Sequence, residues 1–173
     1  MQIQDLHFSI MSEIFISYAS EDRPRAAMLA KALEDCGWSV WWDRCIPAGK
    51  IFAQVIEEQL KSAKCVIVLW SKSAVKSHWV HNEAAEGMQR QILVPALLED
   101  VPIPFEFKRV QAARLIDWEE GVVNVEFTEF LQDIEGLMRG ERTKKNGGRQ
   151  LAAEKKSGDF PSAQAGRGRM RLE

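Results

Sequence analysis

The run "KCVIVLW" at residues 64–70 constrains the fold more than any other stretch of the chain. Val66, Ile67, Val68 and Leu69 form an unbroken apolar series with no polar residue at alternate positions. A strand with one wet face alternates, whereas a continuous β-branched run of this length suits a strand covered on both faces. Around it the chain alternates similar runs with helical stripes. "EIFISYA" (13–19) reads as a first strand, and Ala26, Leu29, Ala30 and Leu33 then fall at i, i+3, i+4 and i+7 of a helix. Ser20 or Asp22 is expected to cap that helix, with Pro24 in its first turn and Gly37 closing it. "WSVWWD" (38–43) is a second strand, its three tryptophans suited to core and edge packing. Phe52, Val55, Ile56 and Leu60 give a second helical stripe. After residues 64–70 follow a helix carrying Trp79, a strand "ILVPALL" (92–98), a Pro-bearing loop through Phe107, a strand "ARLIDW" (113–118) and a last helix near Val125 to Met138.

Five strands alternating with helices imply an α/β fold of flavodoxin-like layout, a five-stranded parallel sheet of order 2-1-3-4-5 with helices on both faces. In that order the ligand crevice lies beyond the carboxyl ends of the first and third strands, where the strand order reverses. The first ends at Ser17-Tyr18-Ala19 and the third at Trp70-Ser71, so the rim between them is the expected site. A phosphoreceiver shares this layout but needs acidic residues at both strand ends to hold magnesium, and the third strand here ends without an aspartate.

Charge divides the chain. Residues 140–173 hold nine Lys or Arg against four Asp or Glu, so this segment carries +5 and residues 1–139 carry −7 of the formal −2. A folded surface that acidic is a poor nucleic-acid binder, and no nucleic-acid partner is expected. The basic segment is rich in Gly and Ser with few large apolar residues, which predicts a disordered tail or linker stub. Residues 13–139 are the expected domain, and 1–12 an N-terminal extension in which Met11 is an alternative start. No window approaches the ~18 apolar residues of a membrane span, and "MQIQDLHFSIMSE" lacks the pattern of a signal peptide. A cytoplasmic protein without a membrane partner is therefore expected. Cys36, Cys45 and Cys65 include no CxxC pair, and His7, His78 and His81 show no ligand spacing, so no metal is expected.

Two stretches carry candidate chemistry. In "SHWVHNEAAEG" (77–87), Trp79 and Glu83 stand one helical turn apart on one face, on the segment leading away from Trp70 toward the same rim. Spacing alone also allows a solvated Glu83 and a Trp79 packed over the sheet edge. In "DRCIPAGK" (43–50), Pro47 restricts φ, Gly49 can take positive φ, and Asp43 and Lys50 place opposite charges at the two ends of a mobile connection. Neither GxxxxGK[ST] nor GxGxxG occurs there, so Lys50 is either a single charge for a phosphate or a solvated turn lysine.

"IFISYASED", "LEDCGWSVWWDRCIPAGK", "AKCVIVLWSKSAVKSHWVHNE" and "ILVPALLED" stand in the order and spacing of the Toll/interleukin receptor (TIR) domain family. The chain resembles the prokaryotic form of that family over roughly residues 13–138. The resemblance implies a flavodoxin-like fold, self-association through the loop Arg44, Cys45, Ile46, Pro47, Ala48 and Gly49, and cleavage of NAD+ to nicotinamide and ADP-ribose or a cyclic isomer. NAD+ is then substrate, and no cofactor is expected. By the same resemblance Glu83 of the WxxxE arrangement is the catalytic carboxylate, with Trp79, Tyr18, Ala19, Asp43 and Lys50 about the substrate. Implied partners are further copies of the chain and other TIR domains. Ala19 departs from active members, which often carry a basic side chain there, and the loop after Asp43 is about one residue shorter than in some of them. The alternative function is a non-catalytic scaffold working through TIR–TIR contacts.

The chemistry suits one carboxylate. Ordinary glycosidases use two carboxyl groups because the leaving oxygen must be protonated. Nicotinamide leaves NAD+ as a neutral molecule without a proton, so only the cationic ribosyl transition state needs support, which an adjacent anion supplies.

Overall fold

A computed structural model describes residues 12–42, 52–122 and 124–140. The continuous apolar run becomes β3 (Cys65–Trp70), buried at every position. Strands β1 (Ile14–Ser17), β2 (Val40–Trp41), β4 (Leu93–Leu97) and β5 (Ala113–Arg114) join it in the order β2-β1-β3-β4-β5, with every pairing parallel. The register runs from Ile14 opposite Cys65 to Ser17 opposite Val68, and from Val66 opposite Leu93 to Trp70 opposite Leu97. This is the expected layout, and β3 is central because it has a neighbour on each side and a helix layer on each face.

Pleating sends successive side chains to opposite faces. Ile14, Ile16, Ile67 and Leu69 meet helices α1 (Arg23–Asp35) and α4 (Val125–Met138) through Leu29, Leu33, Phe127, Phe130 and Ile134. Phe15, Val66, Val68 and Trp70 meet α2 (Phe52–Ser62) and α3 (His78–Gln89) through Ile56, Leu60, Val80 and Ala84. The stripe Ala26, Leu29, Ala30, Leu33 is buried as its spacing predicts, and Gly37 follows α1 at φ 91°. Val55, Ile56 and Leu60 are likewise buried, while the side chain of Phe52 lies outside the described set. The tryptophans near β2 are packing residues: Trp41 stacks on Phe15 with ring centroids 4.9 Å apart, and Trp38 and Trp42 pack against the α1 side of the core.

Two expectations change, the helix cap and the extent of the edge strands. Neither Ser20 nor Asp22 caps α1 with its side chain; Ser20–Asp22 form a 3-10 turn, and the Asp22 carboxylate turns across the sheet end to Ser71. The second and fifth strands shrink to two residues each because each is an edge strand paired on one side only. Residues 1–11 of the N-terminal extension, the loop 43–51 and residues 141–173 of the tail lie outside the described residues. No described helix is long and apolar enough to cross a membrane.

Several contacts set the position of α3. A Cβ on Gly87 would lie 2.9 Å from Val66 Cβ, so only a glycine lets the helix backbone approach β3 this closely. The Ser77 hydroxyl caps its first turn by accepting from Val80 N. His81 places Nε2 3.0 Å from the Val75 carbonyl and Nδ1 3.2 Å from Glu106 Oε1. At the other end Arg90 donates to the Leu60 and Ala63 carbonyls, both at 2.6 Å, which locks α3 to the end of α2.

Candidate functional site

The site begins where β1 and β3 end. Tyr18 follows β1 and is 6% exposed, and its hydroxyl donates to the Trp42 carbonyl at 2.9 Å, tying the first strand's end to the second's. Ser71 follows β3 and is buried; its Oγ donates to Asp22 Oδ2 at 2.5 Å and accepts from Ala74 N at 3.0 Å. That one hydroxyl joins the start of α1 to the start of the β3–α3 segment. Desolvation raises the Asp22 carboxyl above its ordinary range; the Ser71 hydrogen bond opposes this, and the nearby Glu99 and Glu21 add to it.

Between these strand ends lies a cavity of about 600 Å³, lined by Tyr18, Ala19, Ser20, Lys72, Lys76 and Trp79 among others. It sits at the reversal of strand order, where the topology alone places a crevice. The segment after β3 then delivers Trp79 and Glu83 in the first turns of α3. Trp79 is 39% exposed and Glu83 only 3%. Glu83 faces a second, smaller cavity of about 290 Å³ between α2 and α3, lined by Ile56, Glu57, Leu60, Trp79, Glu83 and Glu86 among others. Trp79 belongs to both cavities.

The structure thus brings Tyr18, Ala19 and Trp79 to one cavity and places Glu83 beside Trp79 in the next. A solvated Glu83 is overturned: Gly87 draws α3 onto β3 and takes the carboxylate out of water. Trp79, the residue that spacing allowed to cover the sheet edge, is the more exposed of the two. Asp43, Lys50 and the loop residues Arg44, Cys45, Ile46, Pro47, Ala48 and Gly49 lie outside the described residues. Sequence reading placed Ser71 at the rim and Asp22 at a helix start but missed their contact, and it missed Lys72 and Lys76. The signal for the last two was the pair of lysines in "SKSAVKS", but no helical period orders them because Ala74–Lys76 is a 3-10 turn.

Chemically, a carboxylate out of water beside a half-exposed flat ring favours a cationic, partly aromatic ligand. Burial strengthens the field of the anion at short range, and the ring offers a stacking face.

The TIR domain family model matches residues 14–126. No curated protein matches the chain. Among solved structures, the TIR domain of the Toll-related receptor TRR-2 from Hydra magnipapillata is 22% identical, with 72% of this chain and 98% of that one covered and a TM-score of 0.63. A metazoan TIR-STING receptor from C. gigas, solved with 2′,3′-cGAMP, is 22% identical over 73% of this chain and 39% of its own, with a TM-score of 0.55. The TIR domains of the activated Roq1 resistosome, which recognises the pathogen effector XopQ, are 16% identical over 73% of this chain and 99% of theirs, with a TM-score of 0.53. At these identities the structural likeness speaks to the fold.

Proposed function

The chain belongs to the TIR domain family, and from that premise we propose that it is an NAD+ glycohydrolase or cyclase of the prokaryotic TIR type, active as a self-associated assembly in defence or signalling. One observation carries the reading: the Glu83 carboxylate of the WxxxE arrangement is 3% exposed and lines a cavity shared with Trp79. Desolvating a carboxylate costs several kcal/mol before its contacts there offset it, and that cost is taken here at the edge of a cavity.

In the proposed reaction the bond between ribose C1′ and the pyridinium nitrogen breaks, and its electron pair goes to nicotinamide, which leaves neutral. Positive charge builds on the ribose, where Glu83 stabilises it. Water then adds to C1′ and releases one proton, giving ADP-ribose; an adenine nitrogen or a hydroxyl adding instead gives a cyclic product. Trp79 supplies a stacking face and excludes water from one side. Asp43 and Lys50 remain proposed substrate contacts, and the loop 44–49 the proposed contact between copies.

A scaffold acting through TIR–TIR contacts is the second reading, favoured by Ala19, which puts a methyl group on the larger cavity where active relatives often carry a cation. Nicotinamide release from NAD+ by concentrated full chain decides between them. We expect turnover in the wild type and none in Glu83→Gln, with both folded by circular dichroism. Equal turnover in the two removes Glu83 from the chemistry, and none in a wild type shown to be assembled favours the scaffold.

A further inference from the structure

The two cavities that meet at Trp79 carry opposite charge. The larger holds Lys72 and Lys76, hydroxyls of Ser20, Ser73 and Ser77, and one carboxylate, Glu21, which accepts from Ser20 Oγ at 3.0 Å. Lys72 Nζ has a single distant carboxylate, Glu99 at 3.9 Å, and Lys76 has no carboxylate within salt-bridge distance among the described residues. Ser77 is also the N-cap of α3, a helix of twelve residues with no acidic residue in its first turn, so the positive end of the helix opens on the same side. The smaller cavity holds Glu57, Glu83 and Glu86 against one cation, Lys61, which Glu57 already pairs at 2.5 Å, and its remaining wall is Ala53, Ile56, Leu60 and Trp79 with the neutral amide of Asn82.

A dinucleotide with a cationic pyridinium at one end and a diphosphate beyond its ribose has the same polarity. We propose that Lys72 and Lys76 hold the phosphates of such a substrate in the larger cavity while its pyridinium-ribose end enters the smaller one beside Glu83. This rests on the NAD+ reading above and assigns phosphate recognition to the β3–α3 segment, supplying across the cavity the cations that the Ala19 side lacks. The opposite orientation would set a diphosphate against three carboxylates. Phosphate discrimination therefore resides in two exposed lysines that touch neither the scissile bond nor the core, and their removal affects binding and not the bond-breaking step.

The experiment compares the full-length wild type with Lys72→Ala/Lys76→Ala and with Lys76→Glu. Nicotinamide release is measured against concentration for NAD+ and for nicotinamide riboside, which has no phosphate. The expected result is a KM for NAD+ raised about tenfold or more with kcat within about twofold, and turnover of the riboside equal in all three proteins. An unchanged KM for NAD+, or an equal loss on both substrates, overturns the assignment. If the wild type cleaves neither substrate, the NAD+ reading has failed, and calorimetric titration with ADP-ribose then tests the lysines by themselves. Binding to the wild type that is lost in Lys76→Glu sustains the phosphate site; equal binding, or none to the wild type, overturns it.

Discussion

Helices α1 and α3 lie on opposite faces of the sheet and bury the same spacing of residues, yet they fill it differently. In α1 the positions i, i+3, i+4 and i+7 are Ala26, Leu29, Ala30 and Leu33. In α3 they are Val80, Glu83, Ala84 and Gly87. Glu83 thus takes the place of a leucine and Gly87 the place of another. The α1 stripe is an ordinary hydrocarbon seam, each leucine removing apolar surface from water. The α3 stripe gives up two large apolar side chains; the glycine lets the backbone close on Val66, and the close approach buries the glutamate. The α3 seam forgoes apolar burial that the α1 seam keeps, and sets a carboxylate beside a cavity in its place.

The largest effect should fall on the hydrocarbon seam. Leu33→Ala is expected to lower the unfolding free energy by about 2–5 kcal/mol in urea denaturation, as for other fully buried leucines. A loss under about 1 kcal/mol would mean that α1 is no more structural than α3. Gly87→Ala comes next at about 1–3 kcal/mol, because the new methyl must displace either Val66 or the helix. Should Gly87→Ala prove neutral by the same measurement, the close approach of α3 to β3 would not be what buries Glu83.

Glu83→Leu converts the α3 stripe toward that of α1 and sharpens the comparison most directly. Its unfolding free energy should stay within about 1 kcal/mol of wild type or rise, since the cost of burying the carboxylate is removed together with the contacts that offset it, and leucine restores apolar burial. The proposed nicotinamide release should vanish at the same time. A strongly destabilised Glu83→Leu would make the carboxylate a structural partner and remove the argument for function.

The smallest effect concerns the carboxylate that precedes α1. The folded-state pKa of Asp22 is raised, chiefly by desolvation, so its contribution to stability is fully present below the ordinary aspartate value of 3.8 and is lost as pH rises through the raised value. Asp22→Asn keeps an oxygen for the Ser71 hydroxyl and should flatten this part of the profile of melting temperature from the ordinary aspartate value of 3.8 upward, losing least at the alkaline end. An unchanged profile would show that Asp22 is not desolvated in solution to the extent that raises its carboxyl.

Most of the architecture was legible because periodicity is a local property. The four buried positions of α1, the bounds of α4 and the all-buried β3 follow from residue spacing that a single element carries with it. The edge strands were read as six residues long in each case and among the described residues are two, since pairing on one side holds only a short ladder. The capping expectation failed for a related reason. Asp22 has the right chemistry for a cap but found a stronger donor 49 residues away.

For the site, sequence established the rim, through the order of strands, and the shared face of Trp79 and Glu83, through their spacing of four. Neither of these says how deep a side chain lies. That Glu83 is buried and Trp79 half exposed was decided by how closely α3 meets β3, which depends on Val66 receiving Gly87 from a different element. Tertiary structure also separated the neighbourhood of Tyr18, Ala19 and the two lysines from that of Glu57, Glu83 and Glu86, with Trp79 as the wall between them. A helix stripe records which residues turn inward together, but the charge they meet there comes from chain segments that are distant in sequence and become neighbours only on folding.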